Sequence, residues 1–431
     1  MLDDLEPRMP PRGRFKQSSG FVVSLASPSP VLLEIHIMQP AAHPPASWRL
    51  RIDGRFTSLR GFAALAVMMA HYQFIGLLPA VPLFKYSAQI PLMIFFFLSS
   101  FLLSHSLSSD PNWLARPGLA VSAYAVNRIF RIFPLFLLIV GATDWARIAY
   151  FPQSTSYWEA FRSSLTLGRA PSVLWTIPVE LTFYIYLPFV LRMVSWTTRS
   201  PLGAASLSAG FAIWCVAIAA ARSFDVSRSV WMTLGFHHYA NSFVGGVLLY
   251  ALLHNGHVGF AGSGRRITQI APLILILAYP IFFYSIVRQD YFMTELKTPA
   301  AWRSYYDHIF PFAPIVIGGV VYGLLHPVAT AFSRAMQTPL LRRIGQWSFG
   351  VYLIHFPAVV LVRSKLGAGQ IQFIISIAAT FAIAAMLSKY VERPAIALGR
   401  AIGRAAFDRF APEPAVRPLE SMGARVQRGG R

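Results

Sequence analysis

The chain has 431 residues, of which 55% are hydrophobic and only 13% are charged, with a net charge of +21 and a mean hydropathy of +0.50. Charged residues make up about a quarter of a typical soluble chain, so this composition excludes a soluble protein and indicates a polytopic membrane protein. The basic residues collect in the termini and between apolar runs rather than in one stripe, which excludes a nucleic-acid-binding protein. Cys215 is the only cysteine, so no intramolecular disulfide is possible.

The two ends of the chain differ in composition from its middle. Residues 1–54 are rich in proline and charge and predict a disordered tail, in which Met38 is an alternative start. Residues 55–395 form the predicted membrane domain, and 396–431 form a basic tail that we also expect to be disordered. Basic residues in both tails favour cytoplasmic termini, in a multi-pass protein of the cell (inner) membrane.

Between the tails, ten apolar runs approach the roughly 20 residues that a membrane-crossing helix needs. The predicted fold class is therefore an all-α polytopic membrane protein with about ten transmembrane helices and short loops. The runs cover approximately residues 60–79, 88–107, 132–151, 173–194, 202–221, 229–253, 267–287, 309–325, 344–362 and 371–390. The stretch 157–168 predicts an amphipathic helix at the membrane interface.

The first run contains two ionisable residues, Arg60 and His71. Eleven residues return to nearly the same helix face and correspond to about 16 Å along the axis, so we expect Arg60 at the cytoplasmic boundary and His71 near the midplane. An ionisable side chain inside a span points to function. The alternative is a snorkelling arginine together with a histidine bonded to a neighbouring helix.

The third and fourth runs also carry buried charge. Arg128 and Arg131 are neighbours on one helix surface at the predicted start of the third span, where they suit phosphate binding or simply flank the membrane. Glu180 lies inside the fourth run, just after the helix-loosening Pro178, and Tyr184 shares its face. The alternative role for Glu180 is a structural ion pair with an arginine.

Near the end of the membrane domain, Ser348, Tyr352 and His355 share one face of the ninth run. They predict either a substrate-lining surface or a set of hydrogen bonds between helices. Glu392, at the end of the tenth run, is more typical of a structural ion pair. Adjacent histidines 237 and 238 face different ways and have no acidic partner, so we expect no metal site.

Six motifs, in order, resemble the acyltransferase 3 family of integral membrane acyltransferases. They are RGFAALAVMMAH (60–71), FFFLSSFLL (95–103), VNRIFRIFP (126–134), LWTIPVELTFY (174–184), SFGVYLIHFP (348–357) and VERP (391–394). The resemblance covers about residues 55–395. It departs at Ser100, where the family usually has glycine, a position that permits close approach of helices.

The resemblance implies transfer of an acyl group, commonly acetyl, from acyl-CoA to a hydroxyl of a carbohydrate, glycolipid or cell-envelope acceptor, without a permanently bound cofactor. In this scheme Arg60, Arg128 and Arg131 bind the donor, and His71 acts as general base or transient acyl acceptor. Glu180 orients or stabilises the imidazole. Four residues line the substrate site: Tyr184, Ser348, Tyr352 and His355.

Two other classes of function fit part of the pattern. A proton-coupled transporter or a lipid or glycan flippase also needs ionisable residues in the membrane, although the paired broken helices of many transporters are not evident. A purely structural membrane partner explains the tails but leaves the buried ionisable residues without a role.

Overall fold

The computed structural model describes seven stretches of the chain, residues 46–77, 88–150, 172–224, 236–258, 310–326, 330–367 and 369–410. Every regular element in these stretches is helical, as the sequence predicts. The α-helices are α1 (Ala46–Phe74), α2 (Gln89–Ser108), α3 (Asn112–Ala115), α4 (Pro117–Tyr150), α5 (Thr176–Thr197), α6 (Pro201–Phe224), α7 (Phe236–His254), α8 (Ala313–Leu325), α9 (Ala331–Ala335), α10 (Pro339–Gln346), α11 (Ser348–Leu366), α12 (Gln370–Leu387) and α13 (Arg393–Phe410).

Six helices in the described part of the chain are long and apolar enough to cross a bilayer. These segments are Ile90–Ser108, Pro117–Trp145, Thr176–Thr197, Pro201–Ala220, Ser348–Leu366 and Gln370–Ala405. The chain is therefore a multi-pass membrane protein. The count of ten spans stays a prediction, because the run 267–287 lies outside the described residues, as does the amphipathic stretch 157–168.

The relative directions of the helices agree with a chain that crosses the membrane back and forth. Helices α1 and α11 are parallel, since His71 contacts His355 and, further along both helices, Arg363 donates to the carbonyl of Ile75. Helices α2 and α7 are also parallel. Helices α1 and α11 correspond to the first and ninth predicted spans, and α2 and α7 to the second and sixth. A chain that crosses the membrane alternately gives the members of each pair the same direction, as observed.

Small residues let the central helices approach closely. Gly246 of α7 lies against Ser100 and the backbone of α2, where a Cβ would have no room. The close approach expected at Ser100 is thus present, with the glycine on the facing helix. Gly61 of α1 and Gly345 of α10 meet in the same way. These contacts fix the position of α1, which carries Arg60 and His71.

Several helix boundaries differ from the sequence prediction. Helix α4 begins at Pro117 and not near 132, so Arg128 and Arg131 lie inside a helix rather than at its start. Pro178 lies in the first turn of α5, where its missing N–H removes no helical hydrogen bond. The helix-loosening role predicted for Pro178 is therefore wrong.

Both predicted tails contribute helix to the described structure. Helix α1 starts at Ala46, and α13 extends to Phe410 and packs against α4, with Gly399 facing Phe130. Expected disorder is therefore wrong for residues 46–54 and 396–410.

Candidate functional site

A cavity of about 510 Å³ lies among α1, α2, α4, α5, α11 and α13. One face of α2 forms its longest wall, from Leu92 to Ser109. Seventeen residues of helix rise about 25 Å, so the cavity is a narrow tube roughly parallel to α2. The aromatic side chains of Phe95, Phe96 and Phe349 contribute to its apolar lining.

The two ends of the tube differ in exposure. Ser106, Ser109 and Arg400, at one end, are exposed, so the tube opens to the surface there. Leu92, Thr176 and Tyr352 lie toward the other end and are buried. The Thr176 hydroxyl donates a 3.0 Å hydrogen bond to the Tyr352 hydroxyl, which makes these two side chains the end wall.

Positive charge predominates on the cavity wall. Four arginines line it from three helices, against the single carboxylate of Glu180: Arg60 on α1, Arg128 and Arg131 on α4, and Arg400 on α13. Arg60, Arg128 and Arg131 all interact electrostatically with Glu180. Because one carboxylate cannot neutralise four guanidinium groups, the cavity favours an anionic ligand.

A second carboxylate lies beside this cluster. Glu392 ends a π-helical turn, Ser388–Glu392, that interrupts the long rod formed by α12 and α13. Its side chain is 5% exposed and interacts electrostatically with Arg131 and Arg60. Among the described residues, Glu392 Oε2 and Arg128 Nε have no hydrogen-bond partner. A buried donor of this kind is available to an anionic ligand, because leaving it unpaired costs free energy.

The structure brings together most of the residues that the sequence singled out. Seven of them line the cavity: Arg60, Arg128, Arg131, Glu180, Tyr184, Ser348 and Tyr352. They come from positions almost 300 residues apart. The remaining two, His71 and His355, do not line it.

His71 and His355 instead contact each other beyond the end wall. His355 Nε2 lies 3.1 Å from His71 Nδ1, and the ring centroids are 5.0 Å apart. The His355 ring is also 5.8 Å from that of Tyr352, centroid to centroid. His355 is fully buried and His71 is partly exposed. The pair is therefore separated from the cavity by one aromatic side chain.

Two findings describe the position of His71. Helix α1 begins fourteen residues before Arg60 and ends at Phe74, so His71 lies in its last turn, and its depth near the midplane stays a prediction. The described contacts of the His71 ring are with Val67, His355 and Phe356, and Glu180 is not among them. Glu180 lies with the arginines in the cavity, so the expected contact between Glu180 and the imidazole is absent from the described structure.

The sequence analysis also missed several lining residues. Arg400 was assigned to the tail, and Thr176 and the serines of α2 look like ordinary residues of apolar spans. A signal was present for α2, because Ser99, Ser106 and Ser109 recur at helical spacing on one face. No comparable signal marked Arg400, whose position depends on the packing of α13 against α4.

Comparison with known proteins assigns the described helices to a recognised group. A family model described as an acyltransferase domain matches residues 53–389, more than three quarters of the chain. No solved structure matches the chain.

Three curated relatives illustrate the similarity. The peptidoglycan O-acetyltransferase OatA of Listeria monocytogenes is 24% identical over 80% of this chain and 55% of its own length. The acyltransferase MdmB of Streptomyces mycarofaciens is 23% identical over 83% of this chain and 95% of its own length. A putative O-acetyltransferase of Staphylococcus aureus (strain COL) is 24% identical over 57% of this chain and 38% of its own length. The chain thus spans only about half, or less, of two of these relatives.

Proposed function

Because the chain belongs to the acyltransferase 3 family, we propose that it is a membrane-embedded O-acyltransferase. It transfers an acyl group, in the first instance acetyl, from acyl-CoA to a hydroxyl of a carbohydrate or glycolipid acceptor of the cell envelope. The observation that carries this proposal is the narrow cavity whose wall holds four arginines and one glutamate.

The cavity suits a donor that is anionic at one end and slender at the other. The phosphate groups of coenzyme A bind near Arg128, Arg131 and Arg400, because guanidinium groups hold phosphate oxygens in bidentate pairs. Arg60 extends this cationic region inward. The pantetheine arm, which carries no charge, lies along α2 toward the wall formed by Thr176 and Tyr352.

Glu180 has a different role from the one expected at the outset. Its carboxylate lies among three arginines and one turn from Tyr184. A negative group in this position reduces repulsion among the guanidinium groups and so lets three of them line one cavity. Glu180 therefore organises the donor site, and the imidazole is oriented by another residue.

His71 acts as the general base at the inner end of the path. Its ring takes the proton of the acceptor hydroxyl while the acceptor oxygen attacks the thioester carbonyl carbon. The tetrahedral intermediate collapses, the carbon–sulfur bond breaks, and the proton passes from the imidazole to the leaving sulfur, which gives free coenzyme A and the ester. Because Tyr352 separates the cavity from the histidines, transfer requires this side chain to move aside.

The acceptor approaches from the opposite side to the donor. His71 lies in the last turn of α1, whereas the exposed mouth of the tube lies at the C-terminal end of α2 and beside Arg400 in the middle of α13. The exposed Arg400 makes the mouth basic, and basic residues at the ends of spans favour the cytoplasm. A cytoplasmic donor and an envelope glycan on the far side fit this arrangement.

The test uses the full chain, purified and reconstituted in lipid nanodiscs, with radiolabelled acetyl-CoA. We expect release of coenzyme A together with transfer of label to envelope glycans from a strain that lacks the protein. The glycans of that strain should also be lighter by one acetyl increment per modified site in mass spectrometry. If the protein consumes no acetyl-CoA but moves glycans or protons across vesicle membranes, it is a transporter or flippase and not an acyltransferase.

A further inference from the structure

The contacts of the His71 and His355 rings restrict where their protons can lie. Each Nδ1 atom is 3.0 Å from the backbone carbonyl oxygen four residues earlier, that of Val67 for His71 and that of Val351 for His355. The third contact joins His355 Nε2 to His71 Nδ1 at 3.1 Å. The three short contacts therefore involve three ring nitrogens, and His71 Nδ1 takes part in two of them.

When both rings are neutral, only one arrangement of protons satisfies all three contacts. A carbonyl oxygen accepts hydrogen bonds and cannot donate, so each Nδ1 atom must carry a proton. A neutral His355 then has a lone pair on Nε2, so the one Nδ1–H of His71 is shared between Val67 O and His355 Nε2. In the opposite arrangement, His355 Nε2 donates to His71 Nδ1. Each Nδ1 atom then points a lone pair at a carbonyl oxygen, and both of these contacts are repulsive.

We infer that His355 is a positioning residue that, together with the Val67 carbonyl, holds His71 in the tautomer with its basic lone pair on Nε2. The inference rests on the proposed function, since it assigns the atom of His71 that takes the proton of the acceptor hydroxyl. When Nε2 gains that proton, His71 Nδ1–H donates a stronger, charge-assisted hydrogen bond to His355. A neutral imidazole here takes the place that a carboxylate holds beside the histidine of a catalytic triad.

The packing around the pair restricts both rings. His355 is fully buried between Tyr352 and His71, and Phe356 contacts the His71 ring edge-on, with centroids 5.9 Å apart. The neighbouring Tyr72 hydroxyl lies 2.7 Å from that of Thr380, which fixes the last turn of α1 against α12. Rotation of the His71 ring therefore requires movement of the buried His355 ring or of Phe356.

Three substitutions of His355 separate positioning from packing. The amide oxygen of His355→Gln reaches the position of Nε2 and can accept from His71, whereas His355→Asn is too short and His355→Leu offers no acceptor. We expect kcat to fall by about 10- to 100-fold in His355→Asn and His355→Leu, as when the orienting partner of a metal-binding histidine is lost. In His355→Gln, kcat should stay close to the wild-type value. The KM for acetyl-CoA should stay unchanged in all three. Equal activity of Leu and wild type, or equal losses for Gln and Leu, would overturn the inference.

The tautomer is measured independently of turnover. Nitrogen NMR of the full chain labelled with 15N-histidine, assigned by difference from His71→Ala, reports which ring nitrogen of His71 carries the proton. We expect the Nδ1–H form in the wild type and in His355→Gln, and a larger share of the Nε2–H form in His355→Asn, where the Val67 carbonyl is the one acceptor that remains for Nδ1–H. A wild-type His71 protonated only at Nε2 would refute the inference even if acetyl transfer proceeds. The Nδ1–H form without acetyl-CoA turnover would uphold the pairing and contradict the proposed function.

Discussion

Helix α1 supplies one residue to each of two regions that are built in opposite ways. Arg60 faces the cavity, where charged groups from four helices act across open space. His71, about 16 Å further along the helix, belongs to a pair of rings in direct contact. Charges that act across space tolerate small displacements, whereas a hydrogen-bonded pair depends on tenths of an ångström. We therefore expect the cavity to determine donor affinity and the histidine pair to determine rate.

The end wall separates these two regions physically. Tyr352 lines the cavity on one side and contacts His355 on the other. Substitutions on either side of Tyr352 should consequently affect different kinetic quantities.

The largest expected effect comes from the histidine pair. His71→Ala should lower kcat for acetyl transfer by about 10²- to 10⁴-fold, because it removes the general base. The dissociation constant of coenzyme A, measured by calorimetry on the same preparation, should be unchanged because His71 does not line the cavity. If His71→Ala retains turnover, His71 is not the general base. If it loses coenzyme A binding, the cavity and the histidine pair do not act separately.

Arg128→Ala should have the next largest effect, and this effect should be on the affinity for coenzyme A rather than on kcat. Loss of one charge-assisted contact to phosphate should weaken coenzyme A binding by about 10- to 100-fold. Arg128→Lys keeps the charge but loses the planar fork, so its effect should be intermediate. The control is Arg342→Ala, an exposed arginine of α10 that does not line the cavity. Unchanged affinity for coenzyme A in Arg128→Ala would contradict the phosphate site.

Much of the fold and of the cavity follows from local sequence. Apolar runs identify the long helices because each must bury its backbone polar groups within the membrane. Arg60, Arg128, Arg131 and Glu180 stand out because a charge inside an apolar run is costly and needs a reason to be there. The sequence thus identifies most of the charged residues that line the cavity, but not their neighbours in space.

Pairing between helices could not be predicted in the same way. The contact of His71 with His355 depends on α1 and α11 packing in parallel, and the register between them is fixed by Arg363 and by the glycines of α1 and α10. Nothing local distinguishes His355 from Glu180 as the partner of His71. Helix ends were also misjudged, because hydropathy marks the membrane and a helix continues beyond it, as α4 and α13 do.

Arg400, which local sequence did not mark, gives the smallest and most discriminating prediction. It is exposed at the mouth of the tube, where solvent and salt screen its charge. Arg400→Ala should therefore weaken coenzyme A binding by no more than about 5-fold, and the difference should vanish at high salt. Arg404→Ala, one turn along the same exposed face but outside the cavity lining, is the matched control and should have no effect. If the two variants behave alike, the donor does not pass this end of the tube, and the tube must be filled from another side.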